Sequence, residues 1–251
     1  MSDTESQDRN GRCRKPAAAQ ASLDMDRPGR QETLKEILER YKSRLRDNYD
    51  CIVPVTGRVE SYYQVYVVRK LFGLYPLLVT YDPLNLTKHR IRNLEHIRTL
   101  FRVNHIHFSP NPKLVEVLDR AASEGVRPGE PSRPRHPVVS TYPIQMAVRF
   151  KVPLIVWGER YLAGLNGGGA PGEMIGFSSR DRAQWKERNA EWTDLANDEM
   201  GIDRPDLKWA VFPSDEALER VGAKGVFLGA YLPWDEEAQV QMMAEKYGVE
   251  V

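Results

Sequence analysis

Cysteine is scarce, with two in 251 residues, Cys13 and Cys51. Two thiols build neither a disulfide framework nor a four-thiolate zinc site, and no zinc is expected. Long apolar runs are also missing, so no membrane span is expected. The polar N-terminus carries no secretory apolar segment, and the cytoplasm is the default compartment. Neither charge dominates: Lys plus Arg is 36, Asp plus Glu is 35, and the net charge is +1. That balance excludes a globally basic nucleic-acid coat and a globally acidic solvating chain. What remains is a composition of 41% hydrophobic and 28% charged residues, ordinary for a globular α/β core of this length.

Residues 1–30 read as a polar, disordered tail that includes Cys13, and residues 31–251 as one domain. Apolar spacing predicts a first helix over Gln31–Arg46. Strands are then predicted at 51–55, 76–80, 105–108 and 152–157. Helices are predicted at 60–71, 87–101, 112–122 and 141–150. Beyond a basic, Pro-rich loop (124–137) and a Gly-rich stretch (158–179), the pattern predicts a helix at 181–197, a strand at Lys208–Phe212 and a helix at 236–247. Alternating strands and helices imply a mostly parallel sheet with helices on both faces. Ligands in such folds bind beyond the carboxyl ends of the strands.

The segment that follows the first strand is therefore the most informative: Val55-Thr-Gly-Arg-Val-Glu-Ser-Tyr62. A strand, a tight turn and a helix N-terminus form a ready anion site, to which Thr56 and Ser61 add hydroxyls and Arg58 a charge. It is neither a G-x-G-x-x-G fingerprint nor a Walker loop. An ordinary βα turn, with Ser61 or Glu60 serving the helix end, explains the same residues.

The segment resembles the PP-loop of N-type ATP pyrophosphatases, S-G-G-x-D-S. The chain more specifically resembles the N-acetyl sugar amidotransferases of surface-glycan and lipopolysaccharide biosynthesis. Tyr49–Gln64, Gly73–Asp82, Asn93–Ile97, His105–Asn111, Tyr142–Glu159 and Phe227–Asp235 carry the likeness, in order. The resemblance implies a Rossmann-like adenine-nucleotide α-hydrolase (HUP) fold. It implies ATP with Mg²⁺, adenylation of an acetamido oxygen on a nucleotide-linked sugar, and ammonia from a glutaminase subunit. Thr56, Gly57, Arg58, Glu60 and Ser61 fall on the pyrophosphate-loop positions. Thr80, Tyr81 and Asp82 fall where adenine and ribose would lie, and Trp157, Gly158 and Glu159 on a later strand end of the same rim. Glu60, Ser61 and Glu159 are the implied catalytic groups.

The departures from the family pattern favour a second expectation, a catalytically degenerate binding or assembly subunit. Thr56 replaces the first serine. Arg58 replaces the second glycine, where a positive φ would cost an arginine on the order of 1 kcal/mol. Glu60 replaces the aspartate and would displace its carboxylate by about an ångström. Residues 130–137 contain no cysteine where family members carry a Cys-rich segment. Leu165-Asn166 stands in place of an acidic-aromatic pair, and family members continue past the YLPWD region.

Other features have simpler readings. Cys51 reads as inert packing, which makes thiolation chemistry unexpected. His105 and His107 share one face of a strand, with a structural role favoured over metal binding. The basic residues Lys88, Arg90, Arg92, Arg98, Arg102, Arg127, Arg133 and Arg135 read as a solvated surface, and no nucleic-acid partner is expected because no aromatics interleave with them. Trp185 and Trp192 read as core or interface.

Overall fold

A computed structural model describes residues 27–43, 47–82, 84–116, 120, 138–158, 183, 186–187 and 204–249. Five strands form one parallel sheet: β1 (Cys51–Pro54), β2 (Pro76–Tyr81), β3 (Asn104–Phe108), β4 (Leu154–Trp157) and β5 (Lys224–Phe227). Their order is β3-β2-β1-β4-β5. The helices are α1 (Arg27–Tyr41), α2 (Val59–Tyr66), α3 (Lys88–Phe101), α4 (Val138–Phe150), α5 (Asp215–Val221) and α6 (Glu236–Tyr247). Register is set by pairs such as Ile52 with Leu77, Thr80 with His107, Ile52 with Ile155 and Val156 with Val226.

Two cores lie on opposite faces of the sheet, as the period-2 alternation of a strand requires. Cys51, Val53, Leu78, Leu154, Val156 and Val226 face one core, which also takes in α1, α2, α3 and α6. Ile52, Leu77, Val79, Tyr81 and Ile155 face the other, covered by α4 and α5. Burial on both faces is why these strands read as continuous apolar runs rather than alternating ones. The expected Rossmann-like α/β architecture, a parallel sheet with helices on both faces, is therefore present. No helix among the described residues is long and apolar enough to cross a membrane.

Three element expectations are corrected. The first helix begins at Arg27, not Gln31, because Pro28 is tolerated in a first turn. The fourth helix starts at Val138 and carries Pro143 inside it. The strand expected at Lys208–Phe212 is a turn that follows a 3₁₀ helix over Arg204–Leu207. Lys208 N–H and Ala210 N–H donate to Pro205 O and Leu207 O, and the Gln145 side chain donates to Lys208 O and Val211 O. Those carbonyls are thus occupied by a helix side chain instead of a neighbouring strand. The fifth strand is instead the Gly-containing run at 224–227. Cys13, the tail up to residue 26, the 181–197 helix as a whole, Trp185 and Trp192 lie outside the described residues.

Candidate functional site at the sheet's switch point

The chain runs from β1 to β2 on one side and from β4 to β5 on the other, so the strand order reverses between β1 and β4. The crevice beyond their carboxyl ends is where this architecture places ligands. Val55 N–H extends the β1–β2 ladder by donating to Val79 O at 3.0 Å. The bend then closes on itself, because Thr56 N–H donates to the buried Ser61 Oγ at 3.1 Å. Ser61 N–H donates to Arg58 O at 3.0 Å.

Gly57 is the tight point of the bend. Its φ is +73°, and a Cβ there would lie 2.3 Å from the Arg90 carbonyl oxygen of α3. Only glycine tolerates both the backbone angle and this approach. Asn93 Nδ2 donates to Gly57 O at 2.9 Å and holds that carbonyl against α3. In a trans peptide the carbonyl and the next N–H point in opposite directions, so this bond turns the Arg58 N–H away from α3.

Arg58 itself has φ −79° and ψ 166°. The strain expected from arginine at a glycine position is therefore absent: the positive φ falls on Gly57. Arg58 is the N-cap of α2 and supplies no side-chain cap. By contrast Thr87, Ser214 and Asp235 cap α3, α5 and α6 with hydrogen bonds to Arg90, Ala217 and Ala238 N–H. Among the described residues, no acceptor meets the N–H groups of Gly57, Arg58, Val59 and Glu60. These uncapped amides, at the positive end of the α2 dipole, form a set of donors for an anion. The Arg58 Nε lies 3.4 Å from Glu60 Oε2, with side-chain exposures of 48% and 22%. Glu60 therefore already shares its charge with Arg58.

A polar network stands behind the bend. The Tyr62 hydroxyl lies 3.3 Å from both Asn93 O and Oδ1, and 3.0 Å from His96 Nδ1. Burial pushes the Tyr62 phenol up to about 12. Asn93 Nδ2 also meets His89 Nε2 at 3.2 Å. Asn93 was not singled out from the sequence, although the signal was there: a polar residue on the stripe that buries Leu94, Ile97 and Phe101.

The β2 end is arranged differently. Thr80 Oγ1 donates to Val55 O at 2.7 Å, which ties β2 to the root of the bend. His105 Nε2 lies 2.9 Å from Thr80 Oγ1. Thr80 has one hydroxyl proton and gives it to Val55, so His105 Nε2 carries the proton of this second bond. Burial, aided by the charges of His107 and Arg98, lowers His105 to about 4. Its ring stacks on His107 at 5.9 Å, and His107 Nε2 lies 3.4 Å from Asp82 Oδ2. Asp82 Oδ1 accepts from Leu84 N–H at 2.8 Å. Tyr81 packs with Phe108, Tyr142 and Trp209 in the α4-side core. The two histidines thus do share a face, and their partners are Thr80 and Asp82.

At the β4 end, Trp157 stacks on Phe227, and Gly229 N–H donates to Gly158 O at 3.2 Å. Gln64 Nε2 donates to Val156 O at 2.8 Å. Neither Gln64 nor Trp234, both at this rim, was singled out from the sequence. Glu159 lies outside the described residues, as do Arg127, Arg133 and Arg135. Cys51 is fully buried, and that burial raises its thiol well above the usual range, an inert setting. No cluster of three or more His, Cys, Asp and Glu suited to a metal occurs among the described residues.

The molecule is thus a parallel α/β protein with open amide donors at its topological switch point. No family model matches the chain, and no curated protein matches it in sequence. Among solved structures it is similar to an NMN synthetase from Francisella tularensis. The identity is 14%, over 77% of this chain and 90% of that one, with a TM-score of 0.41. It is also similar to the U34-tRNA thiolase NcsA from Methanococcus maripaludis, solved with its 4Fe–4S cluster. There the identity is 12%, over 98% of this chain and 74% of that one, with a TM-score of 0.39. Likeness at this level is one of general chain course, and no chemistry follows from it.

Proposed function

We propose that the β1–α2 bend cradles the phosphates of ATP, and that the chain acts as an ATP-dependent amidotransferase on an acetamido sugar. The observation that carries the phosphate reading is the uncapped start of α2, where the four open amides of residues 57–60 begin at a positive-φ glycine. The resemblance to PP-loop enzymes at Tyr49–Gln64 and to the sugar amidotransferases along the chain supports the finer reading. In it the amides of 57–60 bind the pyrophosphate portion and the Ser61 hydroxyl steadies the bend through Thr56. Arg58 adds positive charge at the mouth. Thr80, Tyr81 and Asp82 mark the nucleoside end, Gly158 joins the ATP-binding residues, and Glu60, Ser61 and Glu159 are the proposed catalytic groups. Mg²⁺ takes phosphate oxygens and one or two carboxylates. Glu60 offers one, already shared with Arg58, so the fit is partial. When bound, the ion would offset phosphate charge. A nucleotide-linked sugar and a glutaminase subunit are the proposed partners.

The Arg58–Glu60 pair favours a second reading, a binding or assembly subunit that holds nucleotide without turnover. Pyrophosphate release decides between them, measured with ATP, Mg²⁺, ammonia and acetamido sugars. Release that is lost in Ser61→Ala supports the enzyme. ATP binding without release supports the subunit.

A further inference from the structure

Arg58 stands where the PP-loop pattern has its second glycine. The planar peptide that joins it to Gly57 has two settings. In the observed one the Gly57 carbonyl meets Asn93 on α3, and the Arg58 N–H points away from that helix. Turning the peptide over rotates φ of residue 58 by about half a turn. Arg58 would then pass from φ −79° to about +100°, at ψ 166°. That region of backbone space is essentially confined to glycine. A glycine at position 58 takes either setting, whereas arginine is held to the observed one. A second restraint acts from outside the bend. The buried Asn93 donates through Nδ2 to Gly57 O at 2.9 Å. A carbonyl only accepts, so the nitrogen end of the Asn93 amide must face it. The Tyr62 hydroxyl, 3.3 Å from Asn93 Oδ1, holds the other end.

We infer that Arg58, through its backbone, and Asn93, through its side chain, are positioning residues that separately lock the Gly57–Arg58 peptide with its N–H presented to an anion. In the reversed setting the Gly57 carbonyl oxygen would face the same place and repel the anion. Each lock is sufficient alone, because one forbids the reversed backbone and the other holds the carbonyl. The departure from the glycine pattern therefore fixes a donor in advance and lowers the ordering cost of binding. This deepens, and rests on, the reading of the bend as a phosphate site.

The test uses the full chain, calorimetric titration and inorganic pyrophosphate as the probe. Asn93→Leu is introduced into two backgrounds, Arg58→Ala and Arg58→Gly. Both lack the arginine charge, and they differ in backbone freedom at position 58. Only chains with the N–H outward bind, so Asn93→Leu is expected to weaken binding about tenfold or more in the glycine background. In the alanine background the loss stays under about threefold, since alanine still forbids the reversed peptide. An equal loss in the two backgrounds, or none in the glycine one, would overturn the inference. On the wild-type chain the Arg58 N–H resonance is expected to shift as pyrophosphate saturates the site. Should the Asn93→Leu chains fail to fold, that resonance decides alone, and an Arg58 N–H that stays in place overturns the inference. Wild-type binding with equal losses sinks only the two locks. Absence of pyrophosphate binding by the wild-type chain sinks the phosphate reading itself.

Discussion

At the scale of single residues, Gly57 carries the largest constraint. It combines a left-handed backbone angle with a backbone approach that a Cβ would bring to 2.3 Å. Gly57→Ala is expected to cost about 2–4 kcal/mol of stability, read from chemical denaturation, because neither the turn nor α3 gives way cheaply. An unchanged midpoint would show that the bend has freedom this structure does not. His105 supports a second prediction. Its folded value is lowered from 6.5 to about 4, so between those limits the unfolded chain binds the proton more readily. The stability contribution is therefore full above about pH 6.5 and lost as pH falls toward 4. Denaturation profiles of wild type and His105→Gln should differ in slope across that window by on the order of 2 kcal/mol in total, and run parallel above it. Parallel profiles throughout would mean that His105 is not held neutral by its burial beside Thr80. Thr56, Gly57 and Ser61 were legible in the sequence as the turn that leaves a strand and opens a helix. Asn93 and Gln64 were not, since one amide on a helix carries no periodic signal and its partner lies 36 or 92 residues away.

At the scale of elements, local pattern was a good guide wherever burial decided the structure. The four strands up to residue 157 and the helices at 88–101 and 236–247 follow directly from apolar spacing. Pattern failed at Lys208–Phe212, where Trp209, Ala210 and Phe212 look like strand residues but turn between Pro205 and Pro213. A glutamine side chain there takes the hydrogen bonds that a strand would have made. Gln145→Leu should remove both bonds and lower stability by about 2 kcal/mol, measured by urea denaturation. A loss under a few tenths would show that the turn is held by its apolar side chains alone. The uncapped start of α2 is the other lesson at this scale. An arginine at the N-cap is poor helix design, and the amides it leaves open are visible only in the structure.

At the scale of the whole molecule, the two-sided core fixes where a ligand can go. Helices cover both faces of the sheet, and the strand order reverses between β1 and β4. The bend, the Thr80–Val55 tie and the Gln64–Val156 tie all gather around the carboxyl ends of β2, β1 and β4. The Thr80–Val55 bond links the ends of β2 and β1, and Gln64 ties α2 to the end of β4, so the chain's own polar groups brace this rim. The most direct measurement is calorimetric titration of the full chain with ATP and Mg²⁺, repeated with pyrophosphate present. Saturable ATP binding that pyrophosphate displaces is the predicted result. No ATP binding at about millimolar concentration, or binding indifferent to pyrophosphate, would contradict a phosphate cradle between Val55 and Tyr62.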